Sequence, residues 1–232
     1  MKALLLSATA AAAIVTGPAI AADMPLKAPA TPYYYNWSGL YIGGQGGGTW
    51  RGRYDWGPQF PSVNSDLDGG FAGGTIGWNW YASKWAIIGI EADWSWADIK
   101  GDFKGGVCSA GFSCSAKIES FGTVRGRFGL LGWNDSLLFY VTGGWAWAEA
   151  TRAQFTFPPA FPTPDVTKTA DGVVFGGGVE WMIFRNVSIK GEVLHIDLSR
   201  EAYPAQNTLS PSGMKTSIDI VRGGLNWHFW SP

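Results

Sequence analysis

The chain has 232 residues, with 33 glycines, 14 tryptophans, 15% charged residues and a formal net charge of -1. Charge is well below the usual quarter, while glycine and tryptophan are well above average, unlike an ordinary soluble domain. The near-neutral balance gives no hint of nucleic acid as a partner, and the length fits one sizeable domain.

Met1–Ala21 reads as a secretory signal. Lys2 supplies the positive start, Ala3–Val15 is apolar, Gly17 and Pro18 break the run, and Ala19-Ile20-Ala21 fits a small-x-small cleavage site. The mature chain is expected to begin at Ala22. Residues 22–36 carry Pro25, Pro29 and Pro32 before Tyr33-Tyr34-Tyr35. Proline lacks the ladder donor, so this stretch is expected to be an extended periplasmic linker into a barrel over residues 37–230.

Eight strands are predicted, each with apolar and polar residues alternating at period 2. The first covers about Ser38–Trp50, with Leu40, Ile42 and Trp50 opposite Tyr41, Gln45 and Thr49. The second, Gly69–Trp80, sets Ile76, Trp78 and Trp80 against Thr75 and Asn79. The third, Trp85–Ala97, sets Ile88, Ile90, Trp94 and Trp96 against Glu91, Asp93 and Ser95. In the fourth, Lys117–Leu131, Val124, Phe128 and Leu130 oppose Thr123, Arg125 and Arg127. In the fifth, Leu137–Ala148, Phe139, Val141, Trp145 and Trp147 oppose Tyr140, Thr142 and Ala146. The sixth, Gly172–Phe184, has Val173, Phe175, Val179, Trp181 and Ile183 opposite Glu180. The seventh, Val187–Leu198, has Ile189, Gly191 and Val193 opposite Lys190 and Glu192. In the closing strand Val221, Gly223, Leu225, Trp227 and Phe229 share one face and Arg222, Gly224, Asn226 and His228 the other.

After the signal no segment offers about 18 consecutive apolar residues, so no transmembrane helix is expected. In lipid only a closed barrel satisfies strand backbones. Predicted strands of 10–13 residues suit a tilted crossing, and the connections alternate short and long, as in an outer-membrane barrel. Trp50, Trp94, Trp96, Trp145 and Trp147 fall near the long connections, and Trp78, Trp80, Trp181 and Trp227 near the short turns. Indole favours the membrane–water boundary, so these are expected to form two aromatic belts around an aliphatic band. The fold is therefore all-β, an eight-stranded antiparallel up-and-down transmembrane barrel.

The polar faces carry Glu91, Asp93, Glu180 and Glu192 with Arg125, Arg127, Lys190 and Arg222. An eight-stranded barrel is wide enough only for its own side chains, so these groups are expected to pair across the lumen and plug it. Cys108 and Cys114 are close in sequence in an exported chain, which favours a disulfide stapling a loop. No metal or cofactor site is expected.

Several motifs in register resemble a known family: Ala22-Asp-Met-Pro-Leu-Lys-Ala-Pro, Tyr-Asn-Trp-Ser-Gly-Leu-Tyr-Ile-Gly-Gly at Tyr35–Gly44, Gly-Thr-Val-Arg-Gly-Arg-Phe-Gly at Gly122–Gly129, Tyr-Val-Thr-Gly-Gly-Trp-Ala at Tyr140–Ala146, and the closing Val-Arg-Gly-Gly-Leu-Asn-Trp-His-Phe. The chain is similar to the small porin-like outer-membrane proteins of alphaproteobacteria over essentially its mature length. The resemblance implies a surface barrel in the bacterial outer membrane with no catalytic residues. Its partners would be outer-membrane lipids and lipopolysaccharide, and the barrel-assembly machinery during insertion. The chain departs from the usual aromatic terminus, because Ser231 and Pro232 follow Phe229 and Trp230.

Three alternatives stand beside a structural role. A narrow porin would pass small solutes through the lumen. A lipid-modifying barrel enzyme would need a histidine, a serine and an acid in reach, for which His195, Ser199 and Asp197 are the candidates. A soluble ligand-binding barrel would need the reverse parity, polar outside and apolar inside.

Overall fold

The structure, a computed structural model, describes residues 35–55, 63–65, 67–103, 114–152, 166–201 and 214–229. The signal segment, the linker as far as Tyr34, and Cys108 lie outside them, so the expected Cys108–Cys114 disulfide does too.

The strands are β1 (Gly39–Asp55), β2 (Val63–Ser65), β3 (Asp68–Ser83), β4 (Ala86–Phe103), β5 (Cys114–Gly132), β6 (Leu137–Arg152), β7 (Val166–Met182), β8 (Val187–Glu201) and β9 (Met214–His228). Neighbours are antiparallel, and β1 also pairs with β9, so eight long strands close a barrel. The Phe229 N–H donates to the Leu40 carbonyl at 3.0 Å at the end of this seam. β2, which the alternation did not predict, is a three-residue addition to the outer end of β1.

The long strands run 15–19 residues, longer than the predicted ranges, mostly because they continue past the upper tryptophans into the predicted long connections. At a tilt near 40° such strands rise about 40 Å, against an apolar band of about 25 Å. The outer third of the barrel therefore stands above the band.

Register shifts interrupt the ladder there: between Thr49 and Arg51 in β1, between Trp96 and Ile99 in β4, and between Ile118 and Ser120 in β5. A bulge re-aims the following side chains. Around the shift in β5 the buried residues run Ile118 and Ser120, then Phe121, Thr123, Arg125 and Arg127, so the inward parity changes from even to odd.

At the opposite end the strands are joined by short turns. In the β5–β6 turn Trp133, Asn134 and Asp135 have φ of 45°, 53° and 60°, a left-handed run that reverses the chain tightly. The Ser136 hydroxyl donates to the Trp133 carbonyl at 2.7 Å and fixes it.

Closing only eight strands forces neighbouring backbones close on the concave side, and glycine meets that need. A Cβ on Gly144 would stand 2.1 Å from the Val124 carbonyl oxygen, and one on Gly176 would stand 2.1 Å from that of Val193. Neither backbone atom can step aside. Gly144→Ala is expected to cost about 1–3 kcal/mol, as overpacking does, measured by urea titration of the refolded barrel.

Candidate functional site

The lumen is stacked in three layers. The lowest, at the short turns, is built on Trp37, which is fully buried. Its indole Nε1–H donates to the Asp135 carbonyl at 2.7 Å, and its backbone N–H donates to the Tyr81 hydroxyl at 3.1 Å. Ile87, Leu138, Tyr140 and Met182 pack around it, and His228 meets its edge at 5.8 Å.

The middle layer holds charge. All eight charged side chains singled out above lie inside and are buried. Arg125 on β5 sits directly opposite Glu91 on β4 and donates to it. It also donates to Glu192 at 2.7 Å, Asp93 at 3.1 Å and Thr123 at 2.9 Å. Arg222 on β9 reaches the same two acids, Glu192 at 2.6 Å and Asp93 at 3.0 Å. Lys190 donates to Glu91 at 2.9 Å. Nearer the short turns, Arg127 donates to Glu180 at 2.7 Å and to the Tyr41 hydroxyl at 2.9 Å, while Tyr41 donates to Glu91 at 2.8 Å. Glu180 also accepts from Ser188 at 2.6 Å and Asn226 at 2.7 Å.

This network spans β1, β4, β5, β7, β8 and β9 across the lumen. Each buried acid meets at least one cation, the arrangement that makes burying charge tolerable. The guanidinium of Arg127 also lies over the Tyr140 ring at 4.2 Å. Tyr41, Tyr140, Thr123, Ser188 and Asn226 belong to this site but were not among the predicted site residues. Their signal was available: Thr123, Ser188 and Asn226 share the inward parity of the charges on their strands, and Tyr41 and Tyr140 fall on the predicted polar faces of theirs.

The upper layer corrects the expectation of a lumen filled with polar groups. Phe71, Ile99, Ile118, Phe121, Val174, Leu194, Ile196, Leu198, Ile218 and Ile220 meet there in an apolar core. Outside them the surface turns polar. Asp98, Lys100, Lys117 and Glu119 form exposed ion pairs, with Lys100–Asp98 and Lys117–Glu119 each at 3.0 Å. Above the upper tryptophans the barrel follows the rule of a soluble sheet, with apolar residues in and polar residues out.

Below that level the outside is apolar. Ile76, Val141 and Val179 are exposed between the two groups of tryptophans. Trp50, Trp94, Trp96 and Trp145 face outward above them, and Trp78, Trp80, Trp181 and Trp227 below. Trp147 is half-buried because its ring covers Gly122 on the next strand. Trp94 stacks edge-on with Trp96 at 4.3 Å, and Trp145 lies 5.0 Å from Trp147. Trp85, Trp133 and Phe184 add outward aromatics at the short turns.

The candidate enzyme residues lie on the outer surface above Val193. The His195 Nδ1 contacts Asp219 at 2.6 Å, and Ser217 donates to Asp197 at 3.2 Å. The carboxylate that orients His195 is thus Asp219 from β9, not Asp197 two residues along its own strand. Among the described residues no cluster of histidine, cysteine and acids is placed to hold a metal ion.

A family model for the outer membrane protein beta-barrel domain matches residues 3–229. The chain belongs to this family. It is 31% identical over 245 residues to the 31 kDa outer-membrane immunogenic protein of Brucella melitensis biotype 1, covering 99% of this chain and all of that one. The protein of the same description from Brucella suis biovar 1 matches equally. Among solved structures, the outer membrane protein OprG from Pseudomonas aeruginosa superposes with a TM-score of 0.53 at 13% identity, over 84% of this chain and 98% of that one, and so shares the fold. The family's barrel lies in the outer membrane, and in that setting the apolar outer surface meets lipid.

Proposed function

We propose that the protein is a structural, surface-displayed barrel of the outer membrane that contributes to envelope integrity and keeps its lumen shut. One observation carries this reading: the paired charges of the middle layer lie beneath an apolar core that offers ions no polar path. The tryptophans hold the barrel at its depth among lipopolysaccharide and phospholipid, and the projecting outer third carries the connections at the cell surface. The description of the Brucella relatives as immunogenic is in keeping with surface display. Insertion would use the barrel-assembly machinery, and no catalytic step is assigned.

Single-channel recording in planar lipid bilayers tests the shut lumen. The expected result is silence at voltages where porins conduct. Reproducible unitary steps would replace the structural role with that of a narrow porin.

A further inference from the structure

Below the paired charges the lumen has a second property. Gln45 Oε1, Asn79 Nδ2 and Oδ1, Arg127 Nε, Tyr140 OH, Asn226 Oδ1 and His228 Nδ1 are buried polar atoms with no hydrogen-bond partner among the described residues. Apart from Gln45, all lie on the short-turn side of Arg125 and Arg222, beneath which Trp37 sits. Asn79 and Asn226 are no more than 1% exposed, His228 is 2% exposed, Arg127 5% and Tyr140 6%. Groups so deeply buried are normally satisfied, so a partner is required.

The chemistry of that partner follows from the atoms. Ser188 donates its hydroxyl hydrogen to Glu180 at 2.6 Å. The His228 Nε2, 3.1 Å from the same hydroxyl, must then donate to it, which leaves Nδ1 to accept from a neutral ring or donate from a protonated one. The unpartnered set on this side thus mixes donors (Asn79 Nδ2, Arg127 Nε, Tyr140 OH) with acceptors (Asn79 Oδ1, Asn226 Oδ1). A cation would serve only the acceptors and an anion only the donors. Water serves both. Three of these atoms rest over bare glycine: a Cβ would fall 2.1 Å from Asn226 Oδ1 at Gly43, 2.4 Å from Asn79 Oδ1 at Gly89 and 2.8 Å from Tyr140 OH at Gly178.

We infer that the lower lumen is a built water-binding site lidded by Trp37, and that the upper apolar core is the dry seal of the barrel. The lumen is then wet from the periplasmic side as far as the ion pairs and closed to the outside. Trp37 covers the water without being the barrier to passage. The inference rests on the shut-lumen reading above.

Water-to-protein NOE spectra of the refolded barrel in lipid nanodiscs test it directly. Cross-peaks are expected at the side-chain amides of Asn79 and Asn226 and not at the methyls of Leu194 and Ile196; silent amides would overturn the inference. In a second arm, Asn79→Leu should lower the thermal midpoint by several degrees, since it strips bound water of its partner. A raised midpoint would mean that the amide was buried dry and would refute the site. In a third, Trp37→Ala should leave the barrel silent in planar bilayers; unitary steps from this variant alone would place the seal at Trp37. Conductance by the unaltered protein together with amide cross-peaks would end the shut-lumen reading and the dry seal while leaving the water site standing.

Discussion

Arg125→Leu is expected to destabilise the folded barrel by about 3–5 kcal/mol, the usual cost of removing one partner from a buried ion network. Arg125 meets Glu91, Asp93 and Glu192 at once. Leucine fills much of the same space but leaves three acids sharing Arg222, Lys190 and Arg127. Arg125→Lys should recover only part of the loss, because an ammonium lacks the planar fork that engages several carboxylates. The check is a urea titration in lipid vesicles followed by tryptophan fluorescence. An unchanged midpoint would mean that the acids are held without Arg125. By contrast, breaking the exposed Lys100–Asp98 pair should cost no more than about 1 kcal/mol.

Val141→Arg is expected to cost about 2–4 kcal/mol, the price of a cation on a lipid-facing strand near the bilayer midplane. Val141 is 62% exposed and stands between Phe139 and Trp145 on the outer face of β6. Thr169→Arg supplies the contrast. Thr169 faces outward on β7 beyond Asp171, where the surface has turned polar, so arginine there should cost about 0–1 kcal/mol. Equal costs at the two sites, in the same titration, would contradict the assignment of one to hydrocarbon and the other to water.

The eight-stranded barrel was legible because period 2 survives wherever a strand has lipid on one side and the lumen on the other. Ile88, Ile90 and Trp94 alternate with Glu91 and Asp93 without interruption. Two things were not legible. A bulge inserts one residue and reverses every later assignment, and nothing in Ile118-Glu119-Ser120 marks it. Nor does alternation say which side is which. From Val193 to Leu198 the strand still alternates, but Leu194, Ile196 and Leu198 point inward while His195 and Asp197 point outward. The pattern is unbroken while the solvent outside has changed from lipid to water, so only the height on the barrel tells an apolar lumen from an apolar coat. Trp37 was hidden for a related reason. It precedes the first strand and has no alternating partner, and its role depends on the Asp135 carbonyl, 98 residues away, which the chain brings beneath the barrel.

The exchange of sides above the upper tryptophans has a practical consequence. That rim is held by its own oily interior and not by the bilayer, so swapping lipid for detergent acts on the lower two-thirds of the wall. The anchor points of the four long connections should keep their spacing through extraction. Given the surface display proposed above, an antibody raised against the detergent-purified protein would then meet the same arrangement of anchor points on the intact cell.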